Sequence, residues 1–301
     1  MKRLLGTLSI AASAVLLASC AASSGGASGG GGGTTPAGTV SQPGGGTSSS
    51  AAQCTPDTMD THTAGKLTVG TDSPAYEPWF VGNDPSNGKG FESAVAYAVA
   101  KQLGYSPDQV DWAKVPFNSA IAPTPKNFDF DINEVSISAK RANAVDFSSG
   151  YYDVTQAVVA LKDDKYANAT SIADLHGAKR GAQVGTTSFD AINNVIKPGT
   201  TPLEYPTNIL AIQALKNGTI DGLVVDLPTG LYVTAVQVDN SKIVGQLAAT
   251  GQAEQFGLVL DKGSSLTSCV SAAVDALRAD GTLADLQQKW LTGKAGAPVL
   301  K

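Results

Sequence analysis

The sequence reads as an α/β protein of layered, mostly parallel sheets. Three observations lead there. Short apolar, β-branched runs alternate with stretches whose apolar residues recur every three or four positions, Gly- and Pro-rich turns separate them, and no internal repeat interrupts the alternation. Strand and helix patterns that alternate in this way are the mark of α/β layers.

The first 53 of the 301 residues do not belong to that body. Lys2 and Arg3 precede an uncharged, largely apolar run of 15 residues from Leu4 to Ala18. That is short of the roughly 20 residues a membrane span needs, and with small residues after it the segment reads as a secretory signal, 1–19. Leu17, Ala18, Ser19 and Cys20 resemble a bacterial lipobox, in which the cysteine becomes a lipidated first residue; an ordinary signal peptide with an incidental cysteine is the alternative. Residues 21–50 are almost all Gly, Ser, Ala and Thr, and no charge occurs between Arg3 and Asp57. Such a segment cannot bury enough apolar surface to offset its chain entropy. With Cys20 it forms a flexible tether, 20–53, of roughly 30 Å reach. The expected location is extracytoplasmic, anchored to the cell membrane.

About 245 residues remain, enough for one large or two small domains. The first strand is expected at 66–71, and the Pro- and Gly-rich stretch 72–90 is loop. Phe91 to Leu103 carries a helical stripe at 91, 94, 95, 98, 99 and 103, with Gly104 placed to end it. Strands follow at 110–115, 128–137 and 151–161. Ser171 and Asp174 stand in capping-box-like positions of a short helix. A strand at 180–184 ends at Gly185, and a helix follows through Ile196. Asn208 caps a helix striped by Ile209, Ile212 and Leu215. Gly222 to Asp226 and Phe256 to Leu260 read as strands, and 266–279 and 283–291 as amphipathic helices.

Composition excludes several classes. The net charge is −5, with no Lys/Arg run for a nucleic acid to meet. Two histidines and three cysteines form no ligand cluster, so neither a metal nor a cofactor is expected. If Cys20 carries lipid, Cys54 and Cys269 remain as a pair in an oxidising compartment; two unpaired thiols are the alternative.

Ligands of open α/β sheets sit beyond the carboxyl ends of strands. Three features occupy such places. Gly185, Thr186 and Thr187 lie between a strand and a helix, where backbone N–H groups suit an anion, or where a Gly-Thr turn simply caps the helix. Arg141 follows the 128–137 run, and its fork matches a carboxylate. Asp226 ends the apolar run GLVVD, either to accept from an ammonium group or to cap a helix before Pro228. An anion clamp and a cation acceptor suit an α-amino acid.

The order of these pieces resembles the family 3 solute-binding proteins of ABC importers, the polar amino-acid-binding group. The resemblance rests on LTVGTDSPAYEPW at 67–79, GKGFESAVAYAVAKQLGY at 88–105 and SISAKRANAVDFSSGYY at 136–152. It continues through SIADLHGAKRGAQVGTTSFD at 171–190, ALKNGTIDGLVVDLP at 214–228 and ALRADGTLADLQQKWL at 276–291. It implies a two-lobed periplasmic-binding-protein-like fold (type II), with lobe 1 at 54–156 plus 252–301 and lobe 2 at 157–251. Two crossover strands, near 157–161 and 249–257, would form its hinge. It also implies that a monomeric chain closes on a free amino acid and delivers it to a permease with its ATPase.

By the same resemblance Arg141 pairs with the α-carboxylate, Ser136 adds a polar contact, Thr186 and Thr187 donate, and Asp226 takes the α-ammonium. Tyr76 and Phe117 cover the ligand, with Trp79 close by or in the core. Two departures bear on the side chain of the ligand. Asn133 and Glu134 stand where the family has a small residue, and the stretch after Phe117 is one residue shorter. Asp72, Glu77 and Glu134 together favour a polar, cationic or amide side chain, unless Asp72 and Glu77 are only loop caps. Two other functions fit the scaffold: a cyclohexadienyl dehydratase-like enzyme using Glu134, and a ligand-sensing protein without transport.

Overall fold

The computed structural model describes residues 54–248, 253–291 and 297–301. The signal segment, Cys20, the whole tether and part of the second crossover lie outside the described residues.

Two sheets organise the described chain. The first has the order β2-β1-β3-β10-β4. Its strands are β1 (Leu67–Thr71), β2 (Val110–Lys114), β3 (Phe130–Asp131), β4 (Asp146–Val154) and β10 (Glu254–Leu260). The second has the order β11-β9-β5-β8-β6-β7. It comprises β5 (Gln156–Leu161), β6 (Arg180–Gln183), β7 (Leu203–Tyr205), β8 (Gly222–Asp226), β9 (Ser241–Leu247) and β11 (Val299–Leu300). These are the two lobes.

All five residues of β1 are buried, Thr68 and Thr71 included, as in a strand covered on both faces. The first lobe packs α1 (Phe91–Gln102), α6 (Thr267–Ala279) and α7 (Thr282–Leu291) around its sheet. Helix α1 buries Phe91, Glu92, Val95, Ala96, Val99 and Ala100, so its inward stripe is rotated from the expected one and carries a glutamate. Gly104 ends it at φ +88°, a left-handed position that glycine adopts without strain. Trp79 is fully buried among Phe91, Tyr152 and Phe256, with ring centroids 5.6–5.9 Å apart in edge-on contacts. The second lobe is covered by α3 (Thr187–Ala191), α4 (Asn208–Lys216) and α5 (Leu227–Tyr232).

Several elements differ from their sequence reading. Both sheets are mixed: β10 runs antiparallel to β3 and β4, and β5 antiparallel to β8 and β9. The 128–137 run yields only the two residues of β3, because Glu134 adopts φ +53° and breaks the extended path. The 151–161 run is two strands in different sheets, β4 and β5, and the chain crosses at Thr155. Gln156 therefore belongs to the second sheet. Thr207, not Asn208, caps α4 through its hydroxyl. The helix to Ile196 becomes a π-helical turn from Ile192. β7 and β9 were not legible, and the grouping of 252–301 in one lobe is corrected at its end, where β11 pairs in parallel with β9. The Ser171/Asp174 reading is met by reciprocal side-chain-to-backbone bonds of 2.9 and 3.2 Å.

Cys54 is bonded to Cys269, 215 residues away, which ties the lead of the body to α6. In the chain-entropy account a loop this long is worth about 5 kcal/mol at most. Replacing both cysteines by serine should cost about 2–5 kcal/mol in denaturant unfolding, and reductant should give wild type the same loss. Identical midpoints with and without reductant would rule the bridge out as a stabilising link.

Candidate functional site

A cleft of about 340 Å³ lies between the lobes, at the small end of the roughly 300–1,000 Å³ range of small-molecule sites. The first lobe contributes Asp72, Tyr76, Asn133, Glu134 and Arg141, with Phe117 from α2 (Phe117–Ala120); the second contributes Thr186, Thr187 and Asp226.

Arg141 opens a 3₁₀ turn that leads into β4, and only 8% of it is exposed. Its Nη1 donates to the Ser136 carbonyl at 2.6 Å, and its Nη2 to the Gly185 carbonyl across the cleft at 2.9 Å. The guanidinium also lies over the Phe117 ring, 5.4 Å from its centroid. Carbonyls and a ring position the group without neutralising it. Burial lowers its pKa while Glu254 and Asp226 oppose that shift, and an arginine keeps its proton throughout. Gly185 sits at φ +78°, where an added Cβ would lie 3.0 Å from Asn118 Oδ1, so the lobes approach here through a residue with no side chain.

The Thr186 hydroxyl is not a free donor: it donates to the Gln183 carbonyl at 2.7 Å and accepts from the Phe189 N–H at 3.2 Å. The helix-cap reading therefore holds for this side chain. Thr187 Oγ1 is 3.2 Å from Ser136 Oγ.

Asp226 occupies the N-cap position of α5 but forms no side-chain capping bond. Its Oδ1 accepts instead from Gln156 Nε2 at 2.7 Å. The same amide nitrogen reaches Glu254 Oε2 at 3.1 Å, and Gln156 Oε1 accepts from Ser188 Oγ at 2.6 Å. Ser136 Oγ donates to Glu254 Oε1 at 2.5 Å. Burial first, then Glu254 and Glu134, hold the Asp226 carboxyl well above the usual range, against the pull of Gln156 and Arg141. An approaching cation would relieve that. Sequence reasoning missed Gln156 and Glu254. Gln156 is the polar residue at the head of the apolar strand QAVVAL and is 6% exposed, which is the signal that could have found it.

Glu134 lines the cleft, and its Oε2 accepts from Thr229 Oγ1 at 2.6 Å. Its own N–H donates to Oε1 of Glu92 at 2.7 Å, and the Tyr151 hydroxyl donates to the same oxygen. Burial, with Asp226 adding to it, pushes Glu92 up to about 7; burial, with Glu92 adding to it, pushes Glu134 up to about 8. Asp131, fully buried with neither carboxylate oxygen bonded, is raised well above its usual range by burial and by Glu92.

Asp72 lines the cleft but is engaged by backbone, accepting from the N–H groups of Ser73 at 2.6 Å and Phe117 at 3.3 Å. The Tyr76 hydroxyl and Asn133 Nδ2 are buried without partners. Glu77, Trp79 and Ser136 do not line the cleft. Glu77 is half-buried outside it, Trp79 is in the core, and Ser136 is 1% exposed behind Glu254 and Thr187.

The pattern that defines the bacterial extracellular solute-binding proteins, family 3, matches residues 67–293. The L-cystine-binding protein TcyJ of Escherichia coli is 29% identical over 245 residues, covering 79% of this chain and 85% of that protein. A solved ancestral arginine-binding protein bound to glutamine superposes with a TM-score of 0.64 at 31% identity, over 76% of this chain and 99% of the other. An ancestral amino acid-binding protein, a precursor of cyclohexadienyl dehydratase, gives 0.62 at 26%, over 75% and 95%.

The buried acids set a pH signature. Folding raises Glu92 from 4.5 to about 7, so the folded chain holds a proton that the unfolded chain releases. The stability this group contributes is then fullest below about 4.5 and declines as pH rises toward 7. Asp131 acts in the same direction. The melting temperature should fall from pH 5 to pH 8, and fall less steeply in Glu92→Gln. Equal slopes would show that Glu92 is not the group responsible.

Proposed function

Because the chain belongs to the bacterial extracellular solute-binding proteins, family 3, we propose that it captures a free α-amino acid and delivers it to the permease of an ABC importer. The observation that carries this reading is one buried guanidinium and one half-buried carboxyl on opposite walls of a small cleft. Arg141 retains N–H donors beyond the two in use and receives the α-carboxylate. Asp226 receives the α-ammonium. A ligand spanning both gains its full set of contacts only when the lobes are together, so binding shifts the population to the closed form. That closed form is what the permease reads.

The N-terminal segment fits this role. Cys20 carries the lipid, and the Gly/Ser tether lets the monomeric body sample the space above the membrane. Glu134 is the one observation that favours a dehydratase instead, since a glutamate whose pKa is raised to about 8 can transfer protons near neutral pH. Incubation with prephenate or arogenate separates the two readings: stabilisation without turnover is expected.

Arg141→Ala should weaken binding of whichever amino acid raises the melting point most, by about 2–5 kcal/mol in calorimetry. Unchanged affinity would sink the clamp. Cys20→Ser should move the protein from the membrane fraction to the medium, and retention on the membrane would remove the anchor.

A further inference from the structure

Arg141 and Asp226 answer the two charges of an α-amino acid, and Glu134 remains. It lines the same cleft, yet no described cation stands beside it: the ion pairs among the described residues are Lys66–Asp111 and Lys262–Asp146. A carboxylate withdrawn from water is costly unless it is protonated or meets a cation.

The side chain is held in place. Trp79 Nε1 donates to Thr229 Oγ1 at 3.0 Å, and Thr229 Oγ1 donates to Glu134 Oε2 at 2.6 Å. A hydroxyl has one proton, so with Trp79 on an acceptor site that proton is committed to Glu134. Trp79 is itself fixed by the aromatic core. Trp79 and Glu134 belong to the first lobe and Thr229, on α5, to the second. The relay is therefore complete only when the lobes meet. Glu134 also sits at φ +53°, where a Cβ is strained, and residues held in such conformations cluster at functional sites. Around it the Tyr76 hydroxyl and Asn133 Nδ2 are buried without partners, so this end of the cleft suits a polar group.

We propose that Glu134, oriented across the lobes by Thr229 and Trp79, is the specificity determinant of the cleft and selects an amino acid whose side chain ends in an amine or guanidinium. This rests on the amino-acid reading above. An amide would leave Glu134 protonated; a cation fills a lone pair and also offsets the cost of ionising the carboxyl. The titratable groups that face Glu134 are Glu92 of α1, Asp226 at the end of β8, Tyr151 of β4 and Tyr76 of the loop before α1, and none of them supplies positive charge. Burial raises Glu134, so a cationic side chain must displace its proton and should bind more tightly as pH rises through about 8.

The test is calorimetry of the purified protein with L-lysine, L-arginine, L-glutamine and L-norleucine. Wild type should prefer lysine or arginine, with lysine affinity rising from pH 6 to 8.5 more than that of norleucine. Glu134→Gln should cut the preference over norleucine by at least about 30-fold while norleucine binding changes little. Thr229→Val keeps the shape and the carboxyl but removes the relay. It should cut the preference several-fold, with Thr229→Ser restoring it, and it decides the matter should Glu134→Gln not fold. Equal loss for all four ligands would place Glu134 on the α-ammonium and overturn the proposal. So would a wild type that prefers glutamine or norleucine. A wild type that binds none of the four would remove the amino-acid reading itself, and the proposal with it.

Discussion

Four carboxyl groups, Glu92, Glu134, Asp226 and Glu254, gather at or behind the cleft, and the guanidinium of Arg141 is the cation buried with them. Burial holds Glu92, Glu134 and Asp226 toward their protonated forms, and the surrounding structure is arranged to share what donors there are. Gln156 is the main arbiter. Its uncharged amide donates to Asp226 and Glu254 together while accepting from Ser188, which neither a lysine nor an acid could do in that position. Tyr151 and the Glu134 N–H serve Glu92 in the same spirit.

The location of that arbiter matters mechanically. Gln156 follows the first crossover by one residue, and Glu254 begins the strand that returns from the second. Ser136, Glu254, Gln156 and Asp226 form one chain of hydrogen bonds from the first lobe to the second. Any cation that meets Asp226 competes with a bond rooted in the hinge strands, so occupancy of the cleft and strain at the hinge are felt by the same side chains.

Much of this architecture was legible. Regular apolar periodicity located α1, α6, α7 and the strands β1, β2 and β8, because those elements bury whole faces. The clamp residues Arg141 and Asp226 were legible from chemistry placed beyond strand ends. The rest depended on partners distant in sequence. Ser136 looks like a ligand contact until Glu254, 118 positions on, takes its hydroxyl. Trp79 looks like a cleft aromatic until Phe256 closes the core over it. Glu92 lies off the apolar stripe read from the sequence, where a surface acid belongs, and only its burial and the bond from Tyr151 show it to be interior. β9 interleaves polar and apolar residues, and its pairing with the chain terminus is a contact that local pattern cannot convey.

That terminus carries a final consequence. β11 lies in the second sheet, while the helix before it, α7, packs in the first. The chain therefore passes between the lobes a third time. Eight peptide steps from Leu291 to Val299 can stretch to roughly 28 Å and no further. While β11 stays paired with β9, that length bounds how far α7 and β11 can separate. Leu300 and the Pro298 carbonyl press so closely on Gly245 that an added Cβ would come within 2.6–2.8 Å of them. The end of the chain is thus seated on the second sheet, and a fluorophore fused after Lys301 would ride with the second lobe while one placed on α7 would ride with the first.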